Sequence, residues 1–311
     1  LVESDGVLLI FQSLGTPWQS AVQKYLNDKK IPQLLISSGA TRFSDHKKFP
    51  WTMAYNPNYQ SEAHIYAQLI LKSYPNAKVG ILFQNDDFGR DYVKGLKDAL
   101  GAKAKSMIVA EESYEVTDPT VDSQMVKLKS SGTDLVFNVA TPKFAAQAIK
   151  KIAQMEWKPV HLLNINSTSV GEVMLAAGGD HSKGIISVNY GKDPRDHQWD
   201  NDEGMKRYKA FMQKYAPNEP LDSSLSAYAY GTAQLMTEIL KRSGDDLTRA
   251  NVMKQATTLK DVVVDLALPG MTISTAPDDY RVNKQFKLMK FNGTSWDLFG
   301  DVLTDTFKAE H

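Results

Sequence analysis

The stretch of sequence that decides the fold is residues 7–41, which read VLLIFQSLGTPWQSAVQKYLNDKKIPQLLISSGAT. An apolar run over residues 7–11 is followed by a polar turn and then by a helical pattern over residues 17–27. A second apolar run, residues 33–37, ends in another turn of small hydroxyl residues. Short apolar strands that alternate with amphipathic helices are typical of parallel sheets covered by helices on both faces. This stretch therefore predicts an α/β fold.

The same unit recurs along the rest of the chain. Further strands are predicted at residues 78–83, 135–139, 160–165 and 185–189. Helices are predicted at residues 90–100, 143–155, 171–177, 203–215 and 223–242, with another helix after a capping residue within 245–249. The chain closes with a predicted hairpin, residues 284–291 and 295–299, around the turn Asn292-Gly293. The pattern predicts doubly wound, Rossmann-like sheets.

The functional edge of such a sheet follows from its topology, because ligands bind beyond the carboxyl ends of parallel strands. The loops at this predicted edge are those that follow Phe11, Ile36, Phe83, Val139 and Ile165.

Composition excludes several classes of protein. The chain has 311 residues, which favours two domains over one hydrophobic core. The chain has 36 lysines and arginines together and 36 aspartates and glutamates together, so its formal net charge is zero. A chain without net positive charge is not expected to bind nucleic acid. No apolar run is long enough to span a bilayer. The absence of cysteine favours export. No signal peptide is present at Leu1, so we expect either that it was removed or that Leu1 is not the natural start.

A motif search finds no catalytic set. The chain contains no dinucleotide fingerprint, P-loop, nucleophile elbow or zincin motif, and its six histidines are scattered singly. Asp86-Asp87 fits either a helix N-terminus or an acid–base or metal site. We predict no catalytic residue, no metal site, no cofactor and no enzymatic activity.

Small hydroxyl residues at strand ends are the positive signal. Ser37-Ser38-Gly39-Ala40-Thr41 and Ser13-Leu14-Gly15-Thr16 place hydroxyls and backbone N–H groups after neighbouring strands. Such turns are suited to binding a carboxylate, although each turn also fits helix capping alone. A polar and aromatic rim from the other half is predicted at Phe88, Thr141, Asn166-Ser167 and Tyr190. Tyr228 and Tyr230 are weaker candidates, since aromatic residues on a helix usually pack in the core.

Longer motifs resemble a known family. Ser13–Thr16, Ile36-Ser-Ser-Gly-Ala-Thr41 and Phe49-Pro-Trp51, with Asn85–Tyr92 and Tyr190–Pro194, resemble the type I periplasmic binding proteins. The branch is that of leucine/isoleucine/valine-binding-like receptors of ABC importers. Asp245-Asp-Leu, Pro269-Gly270 and the closing hairpin are similar to a sub-branch linked to aromatic or other hydrophobic carboxylates.

The resemblance implies a ligand site. Ser13 with Leu14, and Ala40 with Thr41, would hold a ligand carboxylate. Phe88 and Thr141 take positions where amino-acid receptors of the family have aromatic residues. Asn166 falls near the acidic residue that pairs with a ligand α-ammonium, and an unpaired ammonium in a dry cleft is costly. The implied ligand is therefore an aromatic or branched organic acid without an α-ammonium.

The resemblance also implies the domain organisation. Lobe I would comprise residues 1–56 and 190–283, and lobe II residues 57–189 and 284–311, joined by three hinge crossovers. Two βα units that open lobe I in the family are expected to be missing here. The implied partners are a small organic acid and the membrane permease of an ABC importer. The implied location of the protein is the periplasm or another space outside the cytoplasm. The alternatives are a branched-chain amino-acid receptor, a ligand sensor or regulator, and an enzyme on a doubly wound fold.

Overall fold

The computed structural model describes residues 1–304, and its first sheet is small and entirely parallel. Its strands lie in the order β1 (Ile10–Phe11), β2 (Gln33–Ile36) and β3 (Thr52–Ala54). Helix α1 (Thr16–Asp28) connects β1 to β2. This β-helix-β unit is the one that residues 7–41 predict.

The second sheet has seven strands. In chain order these are β4 (Val79–Gln84), β5 (Ile108–Tyr114), β6 (Leu135–Val139), β7 (Val160–Leu163), β8 (Ile186–Asn189), β9 (Gln285–Phe291) and β10 (Trp296–Thr304). Their spatial order is β10-β9-β8-β7-β6-β4-β5. Strands β4 to β8 are parallel, whereas the hairpin of β9 and β10 adds antiparallel strands at one edge.

Helices connect the strands and cover the sheets. The second sheet carries α2 (Tyr59–Ser73), α3 (Asp87–Leu100), α4 (Ala104–Met107), α5 (Asp122–Ser130), α6 (Pro142–Gln154) and α7 (Gly179–Ser182). A π-helical turn, Val170–Leu175, precedes α7. After β8 come α8 (Glu203–Tyr215), α9 (Ser224–Ser243) and α10 (Arg249–Ala256). None of the helices in residues 1–304 is long and apolar enough to cross a membrane.

The core shows why the strands read as continuous apolar runs. In β6, Leu135, Phe137 and Val139 belong to one buried cluster, and Val136 belongs to another on the opposite face. Successive side chains of a strand point to opposite faces, so a sheet covered on both sides needs apolar residues at nearly every position.

Strand β1 is shorter than the sequence predicts. Residues 7–11 read as one strand, but only Ile10–Phe11 pair with β2. The carbonyls of Val7 and Leu8 instead accept hydrogen bonds of 2.8 and 3.1 Å from the guanidinium of Arg249, on α10. A side chain from a distant helix thus takes the place of the strand ladder.

The predicted lobe boundaries remain a prediction. All strands of the first sheet end by Ala54, and the second sheet uses strands from Val79 to Asn189 and then from Gln285 onward. These strand positions are compatible with crossovers near residues 56, 190 and 284, which stay predictions.

Candidate functional site

A cavity of about 960 Å³ lies between the two sheets. Its wall includes residues at or just after the carboxyl end of every strand from β1 to β8: Leu14, Ser37, Tyr55, Gln84, Glu115, Thr141, Ile165 and Tyr190. This is the edge at which ligands bind in parallel α/β sheets. The predicted functional edge is therefore the edge that lines the cavity.

Aromatic side chains form much of the wall. They are Trp18, Tyr55, Tyr59, Phe88, Phe144, Tyr190 and Tyr228. Tyr55 makes edge contacts with Tyr190 and Tyr228 at centroid distances of 6.2 and 5.3 Å, and Tyr59 does so with Phe88 at 5.1 Å. Edge-to-face pairs hold the rings in defined positions. The cavity thus offers fixed apolar surfaces to a ligand.

The two lysines on the wall are already paired with carboxylates. Lys192 Nζ lies 2.8 Å from Asp202, and Lys284 Nζ lies 2.9 Å from Asp279. Asp193, also on the wall, accepts hydrogen bonds from two backbone N–H groups, and burial raises its pKa to about 6. The charged groups of the wall are therefore held by partners within the protein.

Two helices begin at the wall without a side-chain cap. Helix α1 starts after Gly15, and helix α6 starts after Thr141, whose side chain makes no capping hydrogen bond. A helix N-terminus has free N–H groups and a partial positive charge, both of which favour an anion. One of these helices follows a strand of the first sheet and the other a strand of the second.

Polar side chains join the two halves across the floor of the cavity. Asn56 Nδ2 donates to Asn166 Oδ1 at 3.1 Å. The Tyr228 hydroxyl donates to Asn56 Oδ1 at 2.7 Å and lies 3.0 Å from Ser37 Oγ. All four residues line the cavity. The floor is thus a hydrogen-bonded contact between the loops after β2, β3 and β7 and helix α9.

Five of the ten predicted site residues line the cavity: Leu14, Phe88, Thr141, Asn166 and Tyr190. The structure therefore brings together one residue of the predicted carboxylate anchor and the predicted rim except for Ser167, whose buried hydroxyl donates to the carbonyl of Ala140.

The other five, namely Ser13, Ser38, Gly39, Ala40 and Thr41, are not part of the cavity wall. Ser38 is buried, and its hydroxyl lies 2.7 Å from Thr16 Oγ1. Gly39 allows a close approach, because a Cβ there would lie 1.9 Å from the carbonyl of Pro57. Ala40 is a core residue.

The Thr41 backbone N–H, part of the predicted anchor, donates to Asp91 Oδ2 at 2.7 Å. Ser13 contributes its carbonyl to the Ser37 N–H, and its hydroxyl is buried without a hydrogen-bond partner among the described residues. The Ser38–Thr41 turn therefore forms a junction behind the wall, and the cavity end of the first half is formed by Leu14 and the start of α1.

Asp86-Asp87 is explained by capping. Asp86 is the N-cap of α3 and accepts hydrogen bonds from the N–H groups of Phe88 and Gly89. Burial raises the pKa of Asp86. Asp87 lies 3.5 Å from Arg42 on the surface. Residues 1–304 contain no group of three or more His, Asp or Glu side chains arranged to hold a metal ion.

Sequence reasoning missed Asn56 and underestimated Tyr228. Asn56 directly follows Tyr55, at the end of the third strand, but β3 has only three residues and gives almost no periodic signal. Tyr228 was recognised as part of a helix, yet the helical pattern alone does not show which loop the helix faces. Neither residue could be assigned to the floor before the topology was known.

Comparison with known proteins places the fold. The sequence profile of a family described as periplasmic binding protein matches residues 1–295. The chain belongs to the periplasmic binding protein family. This match and the solved structures below confirm the predicted α/β fold with two lobes.

This periplasmic binding protein is similar to several solved structures. One is a possible leucine/isoleucine/valine-binding protein from Rhodopirellula baltica SH 1, with TM-score 0.80, 18% identity, and 96% of this chain and 79% of that chain covered. Another is a branched chain amino acid ABC transporter from Thermus thermophilus with bound valine. Its TM-score is 0.81 and its identity is 15%, and the match covers 98% of this chain and 80% of that chain. A fatty acid ABC transporter substrate-binding protein from Thermomonospora curvata has a TM-score of 0.75 and 18% identity, and the match covers 96% of this chain and 75% of that chain.

One curated relative is a much longer protein, of which the match covers only a small part. The G-protein coupled receptor family C group 6 member A of Carassius auratus is 25% identical over 175 residues, which make up 50% of this chain. The match spans only 20% of that receptor.

Proposed function

We propose that this chain is the extracytoplasmic solute-binding receptor of an ABC importer, without enzymatic activity. Its ligand is a small organic acid with an aromatic or branched hydrophobic body and no α-ammonium. The observation that carries the proposal is the cavity between the sheets, lined by aromatic rings and by residues at the ends of all eight strands from β1 to β8. Closure of the two lobes about their hinges buries the acid.

The aromatic wall supports a hydrophobic ligand body. Rings of Tyr59 and Phe88 from one side and Tyr55 and Tyr228 from another leave space for a planar or branched group. Burying apolar ligand surface against such rings is favourable by about 25 cal/mol per Å². The cavity exceeds the size of a single small acid, so closure is needed to bring both walls into contact with it.

The starts of α1 and α6 support recognition of the carboxylate. Both lack a side-chain cap and lie on the wall, and the lysines nearby are paired. A carboxylate at either start would accept hydrogen bonds from backbone N–H groups and interact favourably with the helix dipole. In this proposal Leu14, Phe88, Thr141, Asn166 and Tyr190 contact the ligand, and the Ser13 and Ser38–Thr41 turns support the wall.

Asn166 supports the absence of an α-ammonium. It presents an amide to the floor of the cavity and is already bonded to Asn56. An amide has no charge to offset that of a buried ammonium. Two solved relatives, one with bound valine and one that is a fatty acid receptor, fit a hydrophobic carboxylate in general, since valine and fatty acids share that group and fatty acids lack the ammonium.

A second candidate is a branched-chain amino-acid receptor. Asp193 lies on the wall, and its carboxylate accepts hydrogen bonds from the backbone N–H groups of Val170 and Arg195. A ligand ammonium placed there would have an anionic partner. The two candidates differ in one chemical group of the ligand.

Calorimetric titration with a matched pair of ligands tests the proposal. 4-Methylpentanoate is leucine without its α-ammonium, so the pair isolates that group. We expect the purified chain to bind 4-methylpentanoate or trans-cinnamate, and to bind leucine at least about tenfold more weakly, because an unpaired buried charge costs more than 1.4 kcal/mol.

Two controls complete the titration. Cinnamamide, the neutral analogue of cinnamate, should bind more weakly if a carboxylate is recognised. Tight binding of leucine with no binding of either acid would establish the second candidate and overturn the first. Turnover of any bound acid would overturn the receptor role.

A further inference from the structure

Glu62 is a buried carboxyl that lies directly beneath the cavity floor. It belongs to α2 and is completely buried. Its Oε1 accepts a hydrogen bond of 2.8 Å from the N–H of Ile165, and its Oε2 accepts one of 2.5 Å from the hydroxyl of Tyr92. Ile165 lines the cavity. Ligand binding as proposed above does not use Glu62.

A chain of hydrogen bonds runs from Glu62 across the floor. The Tyr92 hydroxyl accepts from Asn166 Nδ2 at 3.4 Å, and Asn166 Oδ1 accepts from Asn56 Nδ2 at 3.1 Å. Asn56 Oδ1 in turn accepts from the Tyr228 hydroxyl at 2.7 Å. Every donor in this series points toward Glu62. The series connects a buried group of the second half to the part of the floor that belongs to the first half.

The direction of these bonds depends on the terminal acceptor. An ionised carboxylate only accepts, so the single hydrogen of Tyr92 goes to Glu62 and the tyrosine oxygen must accept from Asn166 Nδ2. Asn166 then presents its oxygen to Asn56. If Glu62 is protonated on Oε2 and donates to Tyr92, the tyrosine hydrogen faces another donor, the Asn166 amide. The proton on Glu62 therefore competes with the observed orientation of both asparagines.

The groups that shift the pKa of Glu62 include no positively charged side chain. Burial raises its pKa to about 8, against the lowering effects of hydrogen bonds from Tyr92, Ile165 and Tyr66. The titratable groups that interact with it are tyrosines: Tyr59 and Tyr66 from α2, Tyr92 from α3, and Tyr190 after β8. No lysine, arginine or histidine is among the groups that shift its pKa.

Resting on the proposed binding of an organic acid, we propose that Glu62 is a positioning residue that orients Asn166 and Asn56 for ligand binding. Its ionised carboxylate fixes the direction of the hydrogen-bond chain, and through it the polar groups that the floor presents to the ligand. The receptor then binds its ligand with an affinity that depends on pH near the pKa of Glu62.

A ligand-free NMR titration tests the hydrogen-bond chain. Side-chain carbonyl carbons are labelled in asparagine and glutamate, and signals are assigned with Asn56→Ser, Asn166→Ser and Glu62→Gln. Between about pH 6.5 and about pH 9, the Asn56 and Asn166 signals should shift together with that of Glu62. The shifts of both asparagines should disappear in Glu62→Gln and in Tyr92→Phe, and persist in Glu219→Gln, which changes an exposed glutamate.

Titration of trans-cinnamate over the same range tests the effect on binding. Its carboxylate is ionised throughout, so the ligand itself does not titrate. We expect the gain from an ordered floor to exceed the repulsion between the Glu62 and cinnamate carboxylates, so that the affinity of the unchanged chain rises by roughly fivefold toward the higher pH. Glu62→Gln should show a flat profile at the lower affinity, and Glu219→Gln should follow the unchanged chain.

The outcomes separate the two proposals. Asparagine signals that do not titrate, or that still titrate in Glu62→Gln, would overturn the role of Glu62 whether or not cinnamate binds. If the asparagine signals titrate with Glu62 but the affinity for cinnamate does not change with pH, Glu62 does not position the floor for ligand binding. Titrating asparagines in a protein that binds none of the acids at any pH would overturn the proposed function instead.

Discussion

Tyr228 and Tyr230 are two positions apart on α9 and have different surroundings. Two residues along a helix are separated by about 200°, so their side chains leave opposite faces. Tyr228 reaches the cavity floor and donates to Asn56. Tyr230 donates to Asp265 at 2.9 Å and packs against Tyr208 and Phe211. The pair therefore provides a test with its own control.

Tyr228→Phe removes one hydroxyl from the floor and keeps the ring. We expect the affinity for trans-cinnamate to fall by roughly fivefold, because a hydrogen bond that orients Asn56 is lost at a net cost of about 1 kcal/mol. Tyr230→Phe should leave the affinity unchanged. Calorimetric titration of both variants measures the difference, and equal losses would show that the helix rather than the floor is affected.

Glu62 also makes stability depend on pH. Its pKa is raised from 4.5 to about 8 in the folded protein, so the folded state retains a proton that the unfolded chain has released. The contribution of Glu62 to the free energy of unfolding is then fully present below about pH 4.5. It falls as the pH rises toward 8 and levels off above that pH. The shift bounds the loss at roughly 5 kcal/mol.

Glu62→Gln should remove this part of the pH dependence. Since glutamine carries no charge, the variant should gain stability relative to the unchanged chain as the pH rises from about 5 to about 9. Urea unfolding at several pH values measures the difference in the free energy of unfolding. A constant difference between the two proteins across that range would contradict a buried, titrating Glu62.

Sequence reasoning at the scale of single residues found the rim better than the anchor. Phe88, Thr141, Asn166 and Tyr190 follow clear strands, and the topology brings them to one edge. The Ser38–Thr41 turn has the right residue types, but its groups are used by Thr16, Asn58 and Asp91. These partners are distant in sequence, so the turn alone does not show that they satisfy it.

Element by element, the agreement depends on length and periodicity. Residues 203–215 were predicted as a helix and form α8 with those bounds, and residues 135–139 form β6. Strand β5, Ile108–Tyr114, was not predicted, because it lies at a sheet edge and has two consecutive glutamates, Glu111 and Glu112, in place of a continuous apolar run. The π-helical turn Val170–Leu175 takes the place of part of the helix predicted at residues 171–177.

The start of α3 yields a prediction at this scale. Asp86→Ala removes the side-chain cap from two backbone N–H groups and should lower the free energy of unfolding by about 1 kcal/mol. Asp87→Ala removes only a surface ion pair with Arg42 and should cost less than about 0.5 kcal/mol. Denaturant unfolding of both variants measures this, and equal costs would contradict capping by Asp86.

At the scale of the whole molecule, the two sheets place their functional edges on opposite sides of one cavity. Because β1 to β8 all contribute to its wall, a ligand in it can contact both halves once the two sheets close around it. Contacts from both halves stabilise a closed state over an open one, and a ligand shifts the equilibrium by its difference in affinity for the two. In the proposed function, this closed form is the one that a membrane permease recognises.

The most direct test of this account is a crystal structure of the complex with trans-cinnamate or 4-methylpentanoate. We predict the acid between the two sheets, with its body among Tyr55, Tyr59, Phe88 and Tyr228 and its carboxylate within hydrogen-bond distance of backbone N–H groups at the start of α1 or α6. An acid bound outside the cavity, or one held there by Lys192 or Lys284 released from its carboxylate partner, would contradict it.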